Sequence, residues 1–264
     1  MIISQLEYVD GEWQDISVKE HSDKAKLVLL FADRYSLEDA SGIKELREKY
    51  PNTDIVSVST SGDFLETALT SETSMSASVI EFEKSSYRIR TLKSSNYTNC
   101  RDLGDDIARS MDEDNLEHVI LFSEGTGVNG SLIIEGLNQV FRGKVTLTGG
   151  LAGDANRFQK TLVGVNDDIS HDNVVAIGLY GKSLTIGFGN ECGFESFGPL
   201  RKITKSYSNV LHEIDNKPAL ALCKDYLGKH ANELPESALW FPLEISTDDD
   251  SEKFVRTILN INEE

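Results

Sequence analysis

The chain has 264 residues, 39% of them hydrophobic, enough to bury a sizeable core in one large domain or two modest ones. Its 44 acidic residues against 26 basic ones give a formal net charge of −18. That balance argues against a nucleic-acid or anionic-membrane surface, since either partner needs local Lys/Arg density. No run approaches the roughly 18 apolar residues of a membrane span. The stretch Met1 to Glu7 lacks the basic start and apolar core of a signal peptide. Three scattered cysteines, Cys100, Cys192 and Cys223, form neither a metal-type pair nor a disulfide framework, so a reducing cytoplasm is expected.

In chain order, residues 1–25 form an N-terminal segment. Lys26 to Phe31 is an apolar, β-branched run that predicts a buried strand. Ser36 to Asp39 looks like a helix start, with Ile43, Leu46 and Tyr50 at helical spacing before Pro51. Asp54 to Ser59 predicts the next strand and runs into Thr60-Ser61-Gly62-Asp63. Ser78 to Phe82 and Tyr87 to Leu92 alternate as the strands of a hairpin would.

The same order then returns. Val119 to Phe122 matches Val28 to Phe31 at an offset of 91. A helix follows from about Gly130 to Phe141, then a strand over Lys144 to Thr148 and the turn Gly150-Leu151-Ala152-Gly153-Asp154. That turn aligns with Ser59 to Asp63, again offset by 91. Val174 to Tyr180 and Ser183 to Ile186 would close a second hairpin. One shift shared by a strand and a turn, with elements in the same order, predicts an internal duplication: repeats at about 26–93 and 117–190 within a domain of 26–196. The expected fold is α/β, built of duplicated β-α-β and hairpin units in a sheet with packed helices. A smaller partial α+β unit follows over 197–264. It has a hairpin within Ile203 to Asp215, a helix Ala219 to Leu227 closed by Gly228, and strands at Leu239 to Ile245 and Phe254 to Ile261.

Val56 to Asp63 and Thr148-Gly149-Gly150-Leu151-Ala152-Gly153-Asp154, with Phe158 and Thr161, resemble the N-terminal FIST domain. Phe197-Gly198-Pro199, Ile203-Thr204-Lys205, Leu211 to Asp215 and Pro218-Ala219-Leu220 resemble the start of its C-terminal companion. The resemblance implies an intracellular signal-transduction module that binds small ligands, with amino acids proposed. It implies output to a separate partner such as a histidine kinase, a chemoreceptor or a cyclic-dinucleotide enzyme. Some members of the family bind haem and sense nitric oxide, so haem is the alternative ligand.

The Gly-Asp turns are the leading candidate site. Glycines let backbone amides approach a carboxylate without a Cβ in the way. Asp63 and Asp154 would accept hydrogen bonds from an ammonium, and Ser59, Thr60 and Ser61 add hydroxyls. The ligand-binding set is Thr60, Ser61, Gly62, Asp63, Gly149, Gly150, Ala152, Gly153 and Asp154. Glu124, Thr126 and Asn129 join it from the glycine-containing loop Ser123 to Gly130, which follows a strand and precedes a helix. The plain alternatives are tight turns whose aspartates cap them, and Asn129 as a helix N-cap. On the ligand reading, Asp154→Ala weakens binding and leaves the fold largely intact.

The histidines (His21, His118, His171, His212, His230) show no metal-ligand spacing. The run Asp248 to Asp250 reads as a solvated turn, and Cys192 as a small buried residue rather than a nucleophile. No G-x-S-x-G elbow is present, which leaves an enzymatic reading without support from the residues, and the resemblance implies a non-enzymatic sensor. A ligand-free interaction scaffold is the second reading. A hydrolase is the third, and it requires a nucleophile within reach of a histidine.

Overall fold

The computed structural model of the chain describes residues 1–17, 26–65, 68–69, 75–112, 114–189, 193–247 and 253–263. They fall into two compact units, Met1–Phe188 and Gly189–Glu264.

The first unit opens with a hairpin of β1 (Ile2–Val9) and β2 (Glu12–Ser17), then β3 (Lys26–Ala32). One expected helix becomes two, α1 (Arg34–Asp39) and α2 (Ser41–Lys49), because Ala40 between them is left-handed at φ 59°. There follow β4 (Thr53–Ser59), the small pair β5 (Phe64–Leu65) and β6 (Ala68–Leu69), β7 (Met75–Glu81), β8 (Ser86–Lys93) and α3 (Cys100–Met111). The chain continues through β9 (Leu116–Ser123), α4 (Gly130–Phe141), β10 (Thr146–Leu151), β11 (Val163–Val165), β12 (Asp168–Ser170) and β13 (Asn173–Tyr180).

These strands make two principal sheets. The larger has seven strands in the order β12-β11-β4-β3-β7-β1-β2, and the smaller has four in the order β10-β9-β13-β8. In the first, β3 runs parallel to β4 and antiparallel to β7. In the second, β9 runs parallel to β10 and antiparallel to β13. The same three-strand arrangement therefore occurs twice.

Strand alternation builds the layers. Along β3, Val28, Leu30 and Ala32 join the core that holds Leu37, Ile43 and Leu46 of the helices, while Leu27, Leu29 and Phe31 point the other way. Along β9, Val119 and Leu121 join the core with Leu103, Ile107, Ile133 and Leu137, while Ile120 and Phe122 share a core with Leu27, Val56 and Val58. The result is a helix–sheet–sheet–helix sandwich, its central layer being the shared core of both sheets. Helices α3 and α4 approach through glycines: a Cβ on Gly104 would lie 2.1 Å from Ile133 O, and one on Gly136 2.1 Å from Arg101 O.

Neither expected hairpin forms. Both edges of β7 are occupied, by β3 and β1, so β8 crosses to the other sheet and pairs with β13. Both edges of β13 are then taken, by β9 and β8, and Ser183 to Ile186 forms no strand. The sequence reading assigned no element to residues 1–17 or 100–111, where the structure has β1, β2 and α3.

In the second unit, β14 (Ile203–Tyr207) and β15 (Val210–Ile214) form the expected hairpin, turning at Ser208 with φ 54°. Next come β16 (Lys217–Pro218) and α5 (Ala219–Leu227), which ends at Gly228. Then β17 (Leu243–Ser246) and β18 (Lys253–Arg256) pair antiparallel, both shorter than their apolar runs suggest.

Candidate functional site

The C-terminal ends of β3, β4, β9 and β10 border one crevice of about 560 Å³ between the two sheets. Loops at the carboxyl ends of parallel strands are where α/β folds place ligands. Phe31 and Phe122, which are 91 positions apart, meet edge to face on its apolar side, with ring centroids 5.7 Å apart. Val58, Ile120 and Leu151 extend that side. Ser59, Thr60, Ser61, Thr148, Gly149, Gly150 and Gly153 supply the rest of the lining.

Of the residues singled out in the sequence, the structure brings Thr60, Ser61, Gly149, Gly150 and Gly153 to this crevice. The two turns are bonded to each other. Gly153 N–H donates to Ser59 O, Ser59 Oγ donates to Gly153 O (both 2.8 Å), and Ala155 N–H donates to Ser61 Oγ at 3.0 Å. Glycine is needed at 153 because a Cβ there would lie 2.6 Å from Ser61 Oγ and 2.9 Å from Ser61 N. Gly149 and Gly150 belong to β10 rather than to a turn. Gly149 has φ 139°, and its Cβ would collide with Leu121 O at 1.8 Å; a Cβ on Gly150 meets nothing within 4 Å.

The offset between the turns needs a correction of one residue. Ala32 pairs with Ser59 and Ser123 with Leu151, so the partners of the first strands differ by 92 positions, not 91. Thr60 N–H donates to Ala32 O as Ala152 N–H donates to Ser123 O. Asp154 therefore occupies the place of Gly62, and the two aspartates are not equivalent.

Their surroundings differ accordingly. Asp154 is 5% exposed, and its Oδ1 accepts from Arg34 Nε and Arg157 Nε at 2.8 Å each. Its Oδ2 accepts the backbone N–H groups of Gln159 (3.0 Å) and Lys160 (3.1 Å). Burial pushes its pKa up, but the two guanidiniums and two amides outweigh burial and hold it near 2. The carboxylate is committed to protein donors, so it does not receive a ligand ammonium in this arrangement. Arg34, itself buried, also reaches Glu38 and Gln159, and Arg157 bonds Asp33, the N-cap of α1. Lys160 completes the cluster on Glu38 at 2.9 Å. The arginines also lie over the Tyr35 ring, at 4.3 Å for Arg34 and 4.8 Å for Arg157. This charge clasp joins α1 to the 154–160 loop. The sequence reading missed Arg34, Arg157 and Glu38; the only signal was a charged cluster just after β3.

The remaining candidates lie outside the crevice lining. Asp63 is buried and accepts from Thr60 Oγ1 at 2.9 Å, while Gly62 N–H bonds that same hydroxyl. Glu124 is buried and turns back on its own loop, accepting from Thr126 N–H, Thr126 Oγ1 and Gly127 N–H at 2.7–2.9 Å. Asn129 caps α4 through Leu132 N–H, and Ala152 is buried in the shared core.

His118 is buried beside the crevice. Its Nδ1 lies 2.6 Å from Thr146 Oγ1 and its Nε2 2.8 Å from Thr148 Oγ1. Burial lowers the pKa of the imidazole, the opposite of what strengthens a general base, and among the described residues its ring nitrogens bond threonine hydroxyls rather than a carboxylate of the catalytic-triad kind. Among the described residues, no histidine, cysteine or methionine lines the crevice, so that lining offers none of the usual axial ligands of haem. Among the described residues, no group of three or more His, Cys, Asp or Glu is placed to hold a metal ion. His21, Cys192 and Asp248 to Asp250 lie outside the described residues. No described helix is long and apolar enough to cross a membrane.

No curated protein matches the chain. Residues 26–217, from the start of β3 to the first residue of β16, match the FIST N domain, and the chain belongs to that family.

Proposed function

We infer that this chain is a small-ligand sensor whose signal enters at the crevice between the two sheets. The family is one of sensory domains that bind small ligands in signal transduction. The observation that carries the reading is the crevice itself. Its volume of about 560 Å³ suits a small metabolite, within the roughly 300–1,000 Å³ usual for ligand pockets. An apolar side of Phe31, Phe122 and Ile120 facing hydroxyls and glycines suits an amphipathic molecule. An amino acid with an apolar side chain is the proposed class, its polar end lying toward Thr60, Ser61 and Gly150. The repeated three-strand units are read as products of duplication, with the Phe31–Phe122 contact near their pseudo-two-fold axis. A cytoplasmic histidine kinase, chemoreceptor component or cyclic-dinucleotide enzyme would read a ligand-shifted equilibrium, limited by the ligand's differential affinity for the two states.

Thermal unfolding against the twenty amino acids tests this. A ligand that binds only the folded chain stabilises it by about 2.7 kcal/mol at a hundred times its Kd. Gly150→Leu, whose side chain has room at the crevice wall, should keep the unliganded midpoint and abolish the ligand-dependent rise. If no amino acid raises the midpoint, the ligand class is wrong and a scaffold gains ground. An unchanged rise in Gly150→Leu would move binding away from this crevice.

A further inference from the structure

The opposite end of the sandwich carries a second, polar hollow of about 480 Å³. It is formed by the β7–β8 turn, the residues preceding β9 and the end of β13. Along β9 this lies at the far end from the crevice, roughly 25 Å away at about 3.3 Å per residue. Among the described residues, three cationic side chains line it, Lys84 and Arg88 from the β7–β8 connection and the start of β8 and Lys182 from beyond β13, against one carboxylate, Asp114. In a chain of net charge −18 that local excess runs against the average.

Two contacts hold the cations together. Gly181, with φ 133°, packs so closely that a Cβ would lie 3.2 Å from Ser85 Cα, which sets the Lys182 turn against the Lys84 turn. Gly181 N–H also donates to Asn115 O at 2.9 Å. The Arg88 guanidinium lies 5.3 Å from the centre of the Tyr180 ring, and Tyr180 is pinned by its hydroxyl donating to Met111 O at 3.0 Å. Arg88 thus has a fixed platform. Lys84 and Lys182 form no ion pair with a described residue, unlike Lys93, Lys160 and Lys224, each of which bonds a carboxylate.

We propose that this hollow binds a phosphoryl anion, held by Lys84 and Lys182 from its two sides, with the Arg88 guanidinium adding positive charge beside them. Guanidinium and ammonium groups make short, charge-assisted bonds to phosphate oxygens. The hydroxyls of Ser85 and Ser86 are within the same lining and add neutral donors. Asp114 disfavours simple anions held by charge alone, so the site selects for ligands that also use hydrogen bonds. The phosphoryl group can belong to a free metabolite or to a phosphorylated segment of a partner.

Titrating the full chain with pyrophosphate and with a phosphoserine peptide, each against sodium chloride at matched ionic strength, tests the assignment. Amide resonances of Ser85, Asn115 and Gly181 are the readout. Saturable shifts with either phosphoryl probe support the site, and the tighter probe identifies the source. In K84Q/K182Q, whose changes are at exposed positions, affinity should fall about tenfold or more, the equivalent of roughly 1.4 kcal/mol per decade. Chloride producing the same shifts, or the double variant saturating at the wild-type concentration, would overturn it. Binding here is independent of the crevice, so Gly150→Leu should leave it unchanged.

Discussion

Asp154, read from the sequence as a ligand-binding carboxylate, is engaged in the structure by donors of the protein itself. A Gly-Asp turn is visible in sequence, but the arginine that occupies its carboxylate lies 120 positions earlier. Because Arg34 is buried with it, Asp154→Ala leaves a buried cation short of its main partner. The expected cost is about 3–5 kcal/mol, the range for breaking a buried pair from one side. Replacing both partners with apolar residues, Arg34→Met with Asp154→Leu, should recover much of it. Chemical denaturation of the three variants reads this directly, and a wild-type midpoint for Asp154→Ala would sink the account. The same carboxylate sets an acid limit. Its folded pKa is about 2 against an ordinary 3.8, so its contribution is full above pH 4 and fades as pH falls toward 2. Asp172, held near 2 by Ser170, Ser95 and Lys93, adds to the same slope. Stability measured from pH 5 to 2 should fall steeply in wild type and less so in the Arg34→Met, Asp154→Leu variant.

At the scale of elements, composition and spacing were legible where a segment's own pattern decides. The apolar runs of β3, β4, β9 and β13 and the capped helix α4 are where the sequence places them. Partner choice was not legible, because it depends on which strand edges are already occupied. Thus β8 alternates as a hairpin arm should, yet its neighbour β7 is filled on both sides. The candidate site divides in the same way. Glycines at 149 and 153 read as ligand-approach positions, but both are required by protein backbone that presses against them. Helices α3 and α4 depend on equally close contact. Gly136→Ala forces a methyl toward Arg101 O, and it should cost about 1–3 kcal/mol, as overpacking does. A denaturation midpoint unchanged in that variant would mean that the helices move apart freely.

On the scale of the whole molecule, the family match begins at residue 26, while the sheet begins at residue 2. Strand β1 sits inside the seven-stranded sheet, between β7 and β2, and brings Leu6 fully into the helix-side core. Removing residues 1–17 should therefore bare the β7 edge and reduce stability, with association visible by light scattering. A monomeric truncation with an unchanged melting point would show that β1 is dispensable. During synthesis the consequence is one of timing. The opening strand can fold back on β2 almost at once, but β7 is completed about seventy residues later. At about 5–20 residues per second, that is a wait of roughly 4 to 15 seconds. Throughout it, the nascent chain carries an amphipathic hairpin whose permanent neighbour has yet to be translated.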